Sequence, residues 1–137
     1  MNRGWQEVNI LVLAYLGDAV YELWVRTHLL EQGQVKVQAL HRTAVNYVRA
    51  GTQAQILHRI LPELDCIEQQ VVMRGRNAKS GRPKNVDVIT YRHATAFEAL
   101  VGYWQLEARN DRMEWAFSKI DQIMREIAEN EERGKKS

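Results

Sequence analysis

Residues 10–25 read ILVLAYLGDAVYELWV, and this stretch decides the fold. Of its sixteen residues only Gly17, Asp18 and Glu22 are neither apolar nor aromatic. With no proline and apolar residues on every side, it predicts a central helix packed over most of its circumference. A carboxylate in such surroundings is costly to desolvate, so Asp18 has to be paired, protonated or bound to a metal. Glu22 follows one helical turn later, and the two carboxylates look out from roughly the same side. Gly17 costs about 1 kcal/mol relative to alanine inside a helix. Its place beside Asp18 implies that something comes close to the backbone there. A second reading stays open: an Asp18 paired with an arginine or with a neighbouring helix end.

Working outward, the chain has only two prolines, Pro62 and Pro83, and almost no alternation of β-branched residues. Both features predict an all-α fold, a single compact helical domain. The first helix is expected from about Glu7 to Leu30, closed through Gly33. A helical stripe of Val37, Leu40, Ala44, Tyr47 and Val48 follows. Ala50, Gly51 and Thr52 mark a break, and a helix through Ile56, Leu57 and Ile60 comes after it. Pro62 is expected to open the next helix, with Leu64, Ile67, Val71 and Val72 inward and an end near Arg74. Val88 to Glu107 mirrors the first helix: between His93 and Glu107, ATAFEALVGYWQL carries one charge, Glu98. A last amphipathic helix spans about Asp111 to Asn130. Residues 1–128 then form the folded domain, and the charged residues 129–137 a frayed tail.

The 137 residues are 45% hydrophobic and 26% charged, the balance of an ordinary soluble globular domain. A formal net charge of +2 means that any affinity for nucleic acid depends on where the charges sit, not on their sum. The single cysteine, Cys66, excludes an internal disulfide framework, suits a reducing cytoplasm and is expected as a small core residue. Four histidines without zinc-ligand spacing, and no glycine-rich phosphate loop, exclude those two site classes. No secretory signal is expected. The apolar stretch at 10–25 is too short and too acidic for a membrane span.

The second informative stretch is RGRNAKSGRPKNVDVITYR at 74–92, with six Arg or Lys residues against one acid, Asp87. Gly75, Asn77, Ser80, Gly81, Pro83 and Asn85 predict a loop up to about Asp87. Clustered cations with Asn and Ser donors suit the phosphates of a nucleic-acid backbone. A solvated basic loop without a ligand is the other reading. If the two apolar helices pack side by side, Asp18 and Glu98 meet in one partly desolvated, negative spot. Such a spot suits Mg²⁺, which takes one or two protein carboxylates and keeps waters for substrate oxygens. These parts suggest metal-dependent hydrolysis of a phosphodiester.

LAYLGDAVYELWVR at 13–26 resembles the signature helix of the ribonuclease III family, and ATAFEALVGY at 94–103 resembles its second catalytic helix. With RGRNAKSGRPKN at 74–85, residues 8 to 128 resemble the small, catalytic-domain-only Mini-ribonuclease III branch of that family. The resemblance implies a homodimeric endoribonuclease acting on double-stranded RNA, with Mg²⁺ as cofactor, maturing the ends of large-subunit (23S) ribosomal RNA precursors. It assigns catalysis and the metal to Asp18, in the G-D motif, and Glu98, in the F-E-A motif. Where ribonuclease III proper has two further acids, this chain has Ala14 and Thr95. The departure puts a second metal site in question and leaves room for an alternative, a catalytically silent double-stranded RNA-binding module. Glu22 is at most an outer helper. With no appended RNA-binding domain expected, RNA would be gripped by Arg74, Arg76, Asn77, Lys79, Arg82 and Lys84. The apolar surface of the first helix is the expected dimer interface.

Overall fold

The computed structural model describes residues 4–79, 81 and 86–136. A short 3-10 turn (Trp5–Glu7) precedes α1 (Ile10–Glu31), α2 (Val37–Val48) and α3 (Ala50–Ile60). A second 3-10 turn (Leu61–Glu63) leads to α4 (Cys66–Arg76), α5 (Val88–Leu106), α6 (Asn110–Phe117) and α7 (Ile120–Lys136). No strand occurs among the described residues, as the all-α expectation required. None of the described helices is long and apolar enough to cross a membrane.

The helix starts follow from side-chain caps. Asn9 accepts from the Leu11 amide at 2.8 Å, and Asp87 from the Thr90 amide at 2.9 Å. Asp65 and Glu68 close a reciprocal capping box at the start of α4. That box moves the start of α4 to Cys66, so Pro62 sits in the preceding 3-10 turn instead of opening the helix. The break between α2 and α3 falls on Arg49, whose extended backbone (φ −62°, ψ 152°) serves both helix ends, one residue before the AGT triplet. At the end of α1, Gly33 takes φ +96°, the left-handed geometry that closes a helix. The expected single last helix is divided at Ser118–Lys119 into α6 and α7. The charged residues expected to fray instead continue α7 as far as Lys136, with their described side chains exposed.

The centre of the fold is α5 rather than α1. Every residue from Ala94 to Trp104 except Glu98 is buried. It packs against α1, α3 and α4. By contrast α1 buries one stripe, namely Leu13, Ala14, Gly17, Tyr21, Val25 and Leu29. On its other side Val12, Tyr15, Leu23 and Leu30 are exposed, Tyr15 by 81%. The all-round apolarity of 10–25 therefore marks two separate faces, one against the core and one on the surface. Cys66 is exposed too, at the first position of α4, and not in the core as expected.

Candidate active site

The crossing of α1 and α5 is set by two glycines. A Cβ added to Gly17 would lie 1.7 Å from the Glu98 carbonyl oxygen. One added to Gly102 would lie 2.0 Å from the Leu13 carbonyl oxygen. The close approach expected at Gly17 is thus the main chain of α5 itself. Asp18 directly follows Gly17, and Glu98 owns the carbonyl that Gly17 touches. The crossing therefore brings the two carboxyl groups together, Asp18 exposed and Glu98 half-buried. Burial, then the hydrogen bond and like charge of Asp18, push the Glu98 carboxyl up to about 8. The side-chain amide of Gln53 works in the opposite direction, by donating to it. Among the described residues no Lys, Arg or His forms an ion pair with Asp18 or Glu98. Among the described residues, then, the arginine-paired alternative for Asp18 finds no arginine.

Glu22 turns to Arg26 in an exposed ion pair of 2.7 Å one helical turn on, so it is engaged away from the two acids. Ala14 and Thr95, at the positions where ribonuclease III proper has further acids, are both buried. The Thr95 hydroxyl donates to the Tyr91 carbonyl at 3.0 Å. Among the described residues no group of three or more His, Cys, Asp and Glu side chains gathers in metal-holding geometry.

Gln53 has no counterpart among the residues expected from the sequence. It lies on α3, is only 3% exposed, and its Nε2 donates to the Val48 carbonyl at 2.8 Å. Its Oε1 is buried without a partner, a condition that costs about 1–3 kcal/mol. A glutamine in an amphipathic helix ordinarily reads as solvent-facing, and only the tertiary packing of α3 on α5 shows otherwise.

A hard divalent cation fits this donor set. Two carboxylates with no cation of the described chain paired to them, plus an orphaned amide oxygen close by, are oxygen donors of the type Mg²⁺ accepts. The small number of acids suits an ion that keeps most of its water. Without an ion, burial and the neighbouring Asp18 carboxyl push the Glu98 carboxyl up, so that it holds its proton near neutral pH.

The basic stretch divides into unequal parts. α4 runs on to Arg76, so Arg74 and Arg76 lie in its last turn and not in a loop. Arg74 is half-buried, donates to the Val8 carbonyl at 3.4 Å and lies over the Trp5 ring at 5.4 Å. Arg76, Asn77 (the residue capping α4) and Lys79 are exposed or partly so. Arg82 and Lys84 lie outside the described residues. Gly75 packs directly on α5, where an added Cβ would come within 2.8 Å of the Ala96 Cα. That seats the end of α4 beside the start of α5. A cavity of about 180 Å³ opens there, lined by Gly75, Ala78, Lys79, Tyr91, Arg92 and Thr95. Thr95 precedes Glu98 by one turn on α5, and Lys79 and Arg92 share this cavity with it.

The ribonuclease III domain family matches residues 11–109 of the chain. A Mini-ribonuclease 3 of Desulfitobacterium hafniense (strain Y51) is 65% identical over 98% of this chain and 85% of its own. One of Enterococcus faecalis (strain ATCC 700802 / V583) is 44% identical, covering 86% of this chain and 95% of its own. Among solved structures, the crystal structure of a Fusobacterium nucleatum protein superposes with a TM-score of 0.79 at 28% identity. That superposition covers 83% of this chain and 93% of the other.

Proposed function

The chain belongs to the ribonuclease III family, in its Mini-ribonuclease 3 branch, and is an endoribonuclease; from that premise we propose that it hydrolyses phosphodiester bonds of double-stranded RNA with Mg²⁺ held by Asp18 and Glu98. The observation that carries this reading is the meeting of those two carboxylates, from helices far apart in sequence, with no cation of the described chain to neutralise them. Bound there, Mg²⁺ supplies neutralisation of charge at the phosphorus and a water of lowered pKa. The chain's own residues do the rest. The Gly17–Gly102 crossing fixes the spacing of the acids. Arg76, Asn77 and Lys79 touch the RNA backbone, together with Arg82 and Lys84; Arg74 supports them from its place on Trp5.

The protein works as a homodimer in the cytoplasm, in residues 1–128. Its dimer face is the exposed apolar side of α1, since Val12, Tyr15, Leu23 and Leu30 together are an unusual surface for a helix with no partner. A two-fold pair of sites suits the two strands of a duplex. The substrate is the helical ends of large-subunit (23S) ribosomal RNA precursors, as the resemblance of the whole chain implies. The test is incubation with a long RNA duplex and Mg²⁺: cleavage is expected, and its persistence at full rate in both Asp18→Asn and Glu98→Gln would refute the assignment.

One observation favours a second reading, a silent duplex-binding module: Ala14 and Thr95 leave only two acids at the centre. That reading expects salt-sensitive duplex binding with no metal-dependent product.

A further inference from the structure

The Gln53 carboxamide sits where the α2–α3 junction meets α5. Both groups that its Nε2 side faces are acceptors, namely the Val48 carbonyl and the Glu98 carboxyl. Turning the amide over would set its oxygen against both of them, so the orientation is fixed by chemistry. Its neighbour Thr52 is held as firmly, with its hydroxyl donating to the Asn46 carbonyl at 2.6 Å while Arg49 Nε donates to it at 3.1 Å. The orphaned Oε1 therefore belongs to a rigid, buried group beside the acidic pair, and no described group of the chain donates to it.

We propose that Gln53 is the third oxygen-bearing member of the Asp18–Glu98 centre: Oε1 accepts a hydrogen bond from water held by the divalent ion, while Nε2 steers the Glu98 carboxylate. This rests on the reading of Asp18 and Glu98 as the pair that holds the ion. It also gives a reason for the missing acids. Two carboxylates already balance the charge of a divalent cation, and in the metal-free protein a third would add repulsion in a half-buried place. A neutral amide supplies an oxygen without a charge. Gln53 is a positioning residue, since it acts through the water and through Glu98.

The probe is Mn²⁺ alone, titrated into the full chain at neutral pH and followed by the paramagnetic resonance of the free ion. Four proteins are compared: wild type, Asp18→Asn, Gln53→Met and Gln53→Glu, with circular dichroism reporting the folded fraction. Asp18→Asn is expected to abolish saturable binding. Gln53→Met, of similar size but without the amide, is expected to weaken it about 10–100-fold, the usual effect of losing an outer partner. Gln53→Glu is expected to bind Mn²⁺ at least as tightly as wild type. Unchanged affinity in a folded Gln53→Met overturns the role of Gln53 while leaving the metal pair standing. Were Gln53→Met not to fold, Gln53→Glu decides: affinity equal to or above wild type supports the role, and weaker binding overturns it. Wild-type affinity in Asp18→Asn removes the metal reading itself, and this inference with it.

Discussion

Glu68 and Glu98 lie on adjacent helices, and the fold treats them in opposite ways. Glu68, on α4, is 1% exposed. Its carboxylate accepts from Arg112 Nε and Nη2 at 2.9 and 2.8 Å, from Trp104 Nε1 at 2.7 Å and from the Asp65 amide at 2.9 Å. Burial alone would push its carboxyl up; those donors outweigh burial and hold it below the usual range. Glu98 is less buried, yet it is pushed up to about 8, because burial there is joined by a neighbouring carboxylate in place of a cation. Low exposure is therefore not what sets the candidate acid apart. Glu68 is the less exposed of the two and is a fastening between α4, α5 and α6. Glu98 has no counter-charge among the described residues, and so is able to take one from outside.

The largest effect that could break this contrast is on the Glu68 side. Arg112→Met leaves a buried carboxylate without its cation and is expected to remove about 3–5 kcal/mol of stability in urea unfolding. Duplex cleavage per folded molecule should stay as in wild type. A loss below about 1 kcal/mol would mean that Glu68 is not the fastening described.

On the Glu98 side the order reverses. Asp18→Asn and Glu98→Gln are each expected to lower Mg²⁺-dependent duplex cleavage by at least about 100-fold, since even outer partners of a metal are worth about 10–100-fold. Thermal stability of the metal-free protein should hold or rise, because repulsion is removed. A variant that lost stability and kept its activity would turn the comparison upside down.

The two acids also bend the pH profile of stability in opposite directions. Glu68 is depressed when folded, so its contribution is present above its unfolded pKa and lost as pH falls through the folded value. Glu98 is raised when folded. Its contribution is complete below its unfolded pKa and lost as pH climbs towards about 8. Unfolding temperatures measured in chelator across this range should show both slopes. Glu98→Gln should flatten the fall at higher pH alone, and Glu68→Gln the fall in acid.

The smallest effect sharpens the view of the border between acids and cations. Arg76→Glu with Lys79→Glu should reduce the salt dependence of duplex binding by about one in slope for each phosphate no longer neutralised. Mn²⁺ affinity should not change. An unaltered slope would make this basic end of α4 a solvated surface only.

Much of the candidate site's geometry was legible in the sequence because glycine is costly in a helix and acids are costly among apolar residues. Gly17 beside Asp18, and Gly102 one turn beyond Glu98, break both rules in two segments that the fold then crosses. The all-α class followed from the same patterning. Which helix is central did not, because α1 and α5 are similarly apolar and differ in what covers their second face. Glu68 was hidden for a related reason. Locally it completes a capping box with Asp65, and its burial arises from Trp104 and Arg112, which sequence spacing does not connect to it. α4 runs past the end expected near Arg74 because Gly75, which in sequence suggests a turn, instead allows close packing on Ala96.

At Gly17 it is main chain that meets main chain, with no intervening side chain to compress or rotate. The gap between the two acids is consequently gauged by the polypeptide itself, in the way a ruler is gauged by its own stock. Drift in the surrounding apolar residues can alter how firmly the helices are clamped while leaving that gap as it was. A single methyl at either glycine would change the gauge.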